Sequence, residues 1–310
     1  MGLRVMSYNA RMDTTQPDGS DGDDGADAWP HRRELLLQDI RAQDPDLLGM
    51  QEVLPHMGEW LRQQLSGDYE FAGEPRGGDG TGEMMAVFVR RSRFTLLEPP
   101  GHFWLSETPS VPGSVGPEFR CERMATWVRL SDGEAGGRPL LFVNTHLDHG
   151  LPSSREFGAK VILSFLAEQA AAHPSVPVVL TGDMNAHDDS EAIRLLLSGA
   201  GDTALLDTFR TLNPTPFDLE ATTHGWFRPR PDGAASGRPR PPFGKRIDYI
   251  FASPALVPTE AAIDRFEDPD AATTQGSGIG EDGGGRFGKG RFPSDHFAVT
   301  ATLERAEASL

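Results

Sequence analysis

Apolar runs rich in Val, Ile, Leu and Phe punctuate the chain, separated by polar stretches that carry Gly and Pro, and their lengths decide between strand and helix. The runs at 3–9, 47–53, 84–90, 124–130, 140–148, 176–185, 247–252 and 296–303 read as strands. Several are nearly continuous in apolar and β-branched residues, the mark of strands buried on both faces. Helical spacing appears between them. Leu36 and Ile40 lie four apart within 32–43, and Leu61 and Leu65 do so within 57–65. A longer helix is expected to open at Ser153, where Glu156 completes the form of a capping box, to carry Phe157, Val161 and Phe165 on one stripe, and to stop before Pro174.

The order of these elements is too irregular for an eight-unit barrel, and the neighbouring runs near Met124 and Leu140 form an expected hairpin across a Gly-rich turn. A layered α/β sandwich fits best. No repeat of about 20 to 50 residues is visible.

The chemistry sits where the strands end. Alternation along a strand puts Val179, Thr181, Asp183 and Asn185 on one face, and Phe142, Asn144, His146 and Asp148 on another. Glu52 follows the run Leu47, Leu48, Gly49, Met50; Asn9 closes the first strand; Asp248 lies inside the run Ile247 to Phe251; Asp295 and His296 open the last strand. Any one of these is an ordinary turn former or cap. Five strand ends carrying acceptor oxygens or imidazoles are better explained by one site, and gathering them requires residues 1–310 to fold as one domain.

Composition narrows the picture. With 37% apolar residues the chain has ample core material. No run reaches the roughly 18 to 20 apolar residues of a membrane span, so a soluble protein is expected. The strand at Leu3 leaves no room for a signal segment, and the single Cys121 forms no intrachain disulfide, which favours the cytoplasm over a secreted form trimmed of its leader.

The net charge of −17 and the lack of a basic stripe argue against a long phosphate polymer as substrate. Charge is unevenly placed, however. Six Asp and no Lys or Arg lie between Asp13 and Asp27, whereas Arg228, Arg230, Arg238, Arg240, Lys245 and Arg246 face only Asp232 just before Asp248. The second stretch offers a positive rim to a small anion or a short oligonucleotide. Segments 13–28 and 267–291 read as mobile loops. The acidic one fits no register of a calcium loop and is expected to be solvated.

Three nucleophile or phosphate signatures are missing: no Gly-x-Ser-x-Gly elbow, no Walker Gly-Lys-Ser/Thr and no dinucleotide glycine fingerprint. Cys121 has no neighbouring His in sequence and is assigned to packing.

Six motifs, Ser7-Tyr8-Asn9, Gln51-Glu52-Val53, Asn144-Thr145-His146-Leu147-Asp148, Gly182-Asp183-Met184-Asn185, Arg246-Ile247-Asp248-Tyr249-Ile250 and Ser294-Asp295-His296, stand in the order found in the endonuclease/exonuclease/phosphatase superfamily, which the chain resembles over its full length. The segments 27–29 (Asp-Ala-Trp) and 103–109 (Phe-Trp-Leu-Ser-Glu-Thr-Pro) resemble a bacterial branch whose substrates are mostly unassigned. The resemblance implies a deoxyribonuclease I-like four-layer α/β sandwich, with two packed, mainly antiparallel sheets flanked by helices.

It also implies roles. Glu52, Asn9 and Asp295 would hold a divalent cation, Mg²⁺ by preference and Mn²⁺ as a substitute. Asp183 would orient or deprotonate the attacking water, and Asn185 and His146 would donate to phosphoryl oxygens. Asp248 would fix the His296 imidazole, whose part as base, acid or fixed charge stays open. Glu83 corresponds to a carboxylate that pairs with His146, and Arg123 to a phosphate-binding arginine. Asn144 and Asp148 join the expected substrate-binding set, and His224, which takes no role from the resemblance, is expected to line the substrate pocket from its place beside Gly225 and Trp226.

The expected activity is metal-dependent hydrolysis of a phosphate ester by in-line water attack, on a small phosphorylated metabolite, nucleotide or lipid head group. A nuclease cutting DNA or RNA phosphodiesters is the alternative. A silent binding module would have no reason to keep all six motifs, and an ester or glycoside hydrolase fits the two imidazoles less well. A monomer is the default expectation.

Overall fold

The computed structural model describes residues 2–216, 220–227, 246–266 and 292–306. The first sheet comprises β1 (Leu3–Asn9), β2 (Leu47–Val53), β3 (Tyr69–Ala72), β4 (Met84–Arg90), β12 (Leu256–Asp264) and β13 (Ala298–Arg305), in the order β12-β13-β1-β2-β4-β3. The second comprises β5 (Phe94–Leu96), β6 (Gly101–Trp104), β7 (Met124–Asp132), β8 (Arg138–His146), β9 (Val178–Asp183), β10 (Leu206–Asp207) and β11 (Asp248–Ala252), in the order β10-β11-β9-β8-β7-β5, with β6 also on β7. Among the described residues only β1/β2 and β8/β9 are parallel; the other pairs are antiparallel.

Alternation along each strand divides the apolar side chains between two interiors. Val5, Leu47, Phe142 and Val179 point between the sheets. Met6, Leu48 and Phe88 point outward and are covered by α1 (Trp29–Gln43) and α2 (Pro55–Leu65) through Leu36, Ile40 and Leu61. Val143 and Leu180 are covered likewise by α3 (Pro152–Ala172) and α4 (Glu191–Leu197) through Ile162, Leu166 and Ile193. A short α5 (Thr208–Leu212) follows β10. The result is the expected four-layer sandwich, and burial on both faces explains the nearly unbroken apolar strand runs.

All eight expected strands are present with edges shifted by a few residues. The short strands β3, β5, β6 and β10, and the longer but largely polar β12, have no clear apolar run to announce them. One expected cap is corrected. Helix α3 opens on Leu151 with Pro152 at its first position, so Ser153 lies inside it and donates to Glu118 Oε2 at 2.8 Å. No helix among the described residues is long and apolar enough to cross a membrane.

Polar ties hold the two sheets in register. Gly49 of β2 approaches the second sheet so closely that a Cβ there would overlap Thr181 Oγ1 and lie 2.7 Å from Asn144 Oδ1. At the far end, Arg93 bridges Asp46 and Asp132 at 3.0 Å each and donates to Gly2 O. The functional side chains collect at the opposite end, where β1, β2, β8 and β9 all finish.

Candidate active site

Each strand end contributes one polar group to a common cleft. Asn9, Glu52, His146 and Asp183 come from the ends of the two parallel pairs, and Asp248 lies across from Asp183 in the β9/β11 register. Asp295 and His296 precede β13, which brings them beside Asn9 through the β1/β13 pairing. Glu52, His146 and Asp183 offer ligand atoms within 4.8 Å of one another, as do Asp183, Asp248 and His296.

Backbone strain marks the place. Pairing of β2 with β4 shifts register between Met50 and Val53, and Glu52 within that bulge has φ +59°. Asn185 and Arg11 also take positive φ, at +47° and +52°. Such left-handed conformations cost a non-Gly residue about 1 to 3 kcal/mol and persist only where the surroundings enforce them. Here they turn side chains into the cleft.

Hydrogen bonds fix the carboxylates. Asn9 Nδ2 donates to both Glu52 Oε1 and Asp183 Oδ2 at 3.0 Å, while its Oδ1 accepts from Arg11 N. In this arrangement Asn9, expected to help hold a cation, turns its amide nitrogen to the two carboxylates and its oxygen to the backbone. Glu52 Oε2 accepts from Met12 N at 3.0 Å. Burial alone would raise the Glu52 carboxyl, but the Asn9 bond, the His296 charge and Met12 N outweigh it and hold the group below its usual range. Asp183 goes the other way, pushed up to about 7 by burial and the facing Asp248.

The two imidazoles carry opposite character. His296 Nδ1 lies 2.9 Å from Asp248 Oδ2. Although burial opposes its charge, Asp248, Asp295 and Asp183 raise the His296 pKa well above the ordinary value, so the ring is protonated. Burial and the charges of Arg123 and Arg76 push His146 well below its ordinary value, so that ring is neutral. Its Nε2 accepts from Asn185 Nδ2 at 2.9 Å, which leaves the proton on Nδ1, 3.8 Å from Glu83 Oε2. Asn185 spends its other amide hydrogen on Leu147 O. Asn185 and His146 are thus bonded to each other, in place of the free N–H pair that the motif implied.

Arg123 is 3% exposed; its Nη2 contacts His149 Nδ1 at 2.9 Å, and its Nε and Nη1 have no hydrogen-bond partner among the described residues. A buried guanidinium with idle donors is suited to an anion. Asp295 Oδ1 is likewise buried without a partner, close enough to Glu52 for each charge to oppose the other.

Two expected substrate ligands are tied into the fold. Asn144 is fully buried and its capacity is spent: Nδ2 donates to Met50 O and Ala86 O, and Oδ1 accepts from Gln51 and Thr181. It ties the sheets together. Asp148, also fully buried, accepts from Arg120 N and Gly150 N and shapes the loop after β8. His224 packs on Phe292 and Phe297, and burial drives its pKa down to about 3, so it is neutral.

The expected charged rim falls mostly outside the described residues, as do residues 267–291. Arg246, its described member, is stacked on Tyr249 and paired with Asp207 at 2.7 Å, so it is structural. The acidic segment is not simply solvated. Asp24 is 2% exposed and takes both Nε and Nη2 of Arg11.

Arg11 and Arg32 were not singled out from sequence. Arg32, 1% exposed, donates to Asp27 O, Ala10 O, Pro293 O and Arg11 O, and lies between the rings of Trp29 and Trp226. It therefore clamps the backbone on both flanks of the cleft. Ser294 Oγ adds a bond to Asn9 O at 2.7 Å and accepts from His296 N.

A sequence model of the Endonuclease/Exonuclease/phosphatase family matches residues 6–296. The chain belongs to that family. Members of that family are divalent-metal-dependent phosphoester hydrolases. An endonuclease/exonuclease/phosphatase from Bacteroides vulgatus is similar at 26% identity and a TM-score of 0.75, covering 99% of this chain and 100% of that one. A mannosyl-6-phosphatase from Bacteroides thetaiotaomicron is similar at 28% identity and a TM-score of 0.74, covering 97% and 99%. Among curated proteins, the Ccr4 3′-5′-exoribonuclease subunit of the CCR4-Not complex from Neosartorya fischeri is 23% identical over 96% of this chain and 46% of its own length. The chain spans about half the length of the curated relatives it matches.

Proposed function

We propose that this member of the family is a divalent-metal-dependent phosphatase of a small phosphorylated metabolite, with a sugar phosphate as the leading substrate class. The observation that carries the reading is the charge arrangement: buried Arg123 has donors without a partner among the described residues, His296 is held protonated, and the Glu52 and Asp295 carboxylates lie close enough to each other to interact. Full-length similarity to a mannosyl-6-phosphatase supports a monoester, and the net charge of −17 disfavours a long polyanion.

The donor set fits a hard dication: the Glu52 carboxylate stands in a cluster with Asp183 and His146, and the buried Asp295 Oδ1, without a partner among the described residues, adds a further oxygen. Mg²⁺ is the proposed ion, with Mn²⁺ as a substitute; when bound it would offset charge on the phosphoryl and leaving oxygens. Asp183 Oδ2 takes the proton of the attacking water, a task suited to a carboxyl near pH 7. His296, held through Nδ1 by Asp248, presents a fixed positive charge to the phosphoryl oxygens. Arg123 orients the same group. Asn185 holds the neutral His146 ring through Nε2, and Glu83 faces its Nδ1 at 3.8 Å without a hydrogen bond.

A panel of sugar phosphates, nucleotides and short DNA and RNA strands, assayed with Mg²⁺, Mn²⁺ and a chelator, tests the assignment. Release of inorganic phosphate from a monoester, abolished by the chelator and little changed by salt, is expected. Similarity to an exoribonuclease favours the second reading, nucleic-acid cleavage, which would instead show steep loss of affinity with added salt.

A further inference from the structure

Beside the cleft, on the far side of Arg123, the fold brings together Cys121 from the loop before β7 with Asp148 and His149 from the loop after β8. Their ligand atoms, one sulfur, one oxygen and one nitrogen, all lie within 4.8 Å of one another. We propose that these three residues form a second cation site, selective for a thiophilic dication such as Zn²⁺ and distinct from the all-oxygen site at Glu52 and Asp295.

Donor chemistry gives the selectivity. Thiolate, imidazole and carboxylate are the ligands of Zn²⁺, whereas Mg²⁺ prefers hard oxygens and keeps its waters. Three protein donors leave a fourth position for solvent. Donors around a tetrahedral Zn²⁺ stand roughly 3.5 Å apart, given bonds of about 2.0 to 2.3 Å. The half-buried Cys121 and the exposed His149 side chains would turn to close the set.

The surroundings hold the donors ready. Asp148 accepts from Arg120 N and Gly150 N, so the same carboxylate fastens the loop that carries Cys121 to the loop that carries His149. Arg155 reinforces it by donating to Asp148 O and Gly150 O. Burial and the Arg123 charge lower the His149 pKa, so the ring carries a single lone pair, now spent on Arg123 Nη2, which a cation must take over or shift to Nε2. On binding, the Cys121 thiol gives its proton to solvent and its sulfur lone pair forms the new bond.

Binding also has a consequence for the cleft. His149 Nδ1 faces Arg123 Nη2 at 2.9 Å as acceptor. A cation on Nδ1 displaces Arg123 directly, and a cation on Nε2 moves the ring proton to Nδ1, where it opposes the guanidinium. Either way Arg123 loses its anchor. If Arg123 binds substrate phosphate as proposed above, the second cation raises KM.

The chain has one cysteine, which makes the test unambiguous. Untagged protein saturated with Mg²⁺ is titrated with Co²⁺, and the thiolate-to-cobalt charge-transfer absorption is followed in the near ultraviolet. A saturable band at one equivalent is expected, lost in Cys121→Ser, weakened roughly tenfold or more in affinity in His149→Ala, and displaced by Zn²⁺. Absence of the band in folded wild-type protein, or a band unaltered in His149→Ala, overturns the site. The spectrum is independent of turnover, so it stands or falls apart from the proposed activity. A Zn²⁺-dependent rise in KM that disappears in Cys121→Ser supports the link to Arg123; a band with unchanged KM refutes that link.

Discussion

The Asp248 carboxylate lies 2.9 Å from His296 Nδ1, and this pair sets the charge of the imidazole in the cleft. Because the His296 pKa is raised, the stabilising interaction is fully present below the ordinary histidine value and is lost as pH rises through the elevated one. If the protonated ring acts on phosphate and Asp183 acts as base, kcat/KM rises with pH on the Asp183 limb and falls on the His296 limb. Asp248→Asn is expected to move the alkaline limb down by about one pH unit or more, since a unit corresponds to only about 1.4 kcal/mol of charge interaction. An unmoved limb in that variant excludes His296 as its source.

Asp183 illustrates function held against stability. Its carboxyl is raised to about 7 by burial and by Asp248, so the fold favours its neutral form. The contribution is complete below the unfolded value near 3.8 and disappears as pH climbs to about 7. Asp183→Asn removes that conflict. The variant is expected to lose on the order of 10² to 10³ or more in kcat. Its metal-free fold should gain on the order of 1 kcal/mol at pH 8. Calorimetry of both metal-free proteins checks this, and a lower melting midpoint in the variant contradicts it.

Arg32 reaches four carbonyls that one ammonium cannot serve together. Arg32→Lys is expected to lower kcat at least tenfold with KM little changed, because Arg32 positions backbone and does not face substrate. Leaving buried carbonyls unpaired should also cost about 2 to 4 kcal/mol, read from urea denaturation. Wild-type kcat in a destabilised variant would confine Arg32 to folding.

Gly49 admits no side chain at the inter-sheet approach. Gly49→Ala must push the sheets apart near Thr181 and Asn144, with an expected loss of about 1 to 3 kcal/mol. Retained stability would mean that the ties there are slack.

Strand ends were legible in the sequence because burial on both faces makes the strands apolar, and the interruption by Asn9, Glu52, His146, Asp183 and Asp248 then stands out. Depth was not legible. Asn144 shares a face with His146, but it lies about 7 Å further into the sandwich, where it meets the other sheet instead of a ligand. Asp148, just past the strand, is turned into its own loop. Arg11 and Arg32 carried no periodic signal, since each works on backbone or loop groups that only tertiary folding brings near. Cys121 and His149 are 28 positions apart and meet only because β7 and β8 form a hairpin.

Strand β1 sits between β2 and β13, the latter formed by the last described residues. One edge of β1 is met by a strand close in sequence, the other by a strand about 300 positions away. Until that distant strand docks, β1 keeps an open edge on which another chain could pair. The same docking event delivers His296, so closing the sheet and completing the cleft are one step.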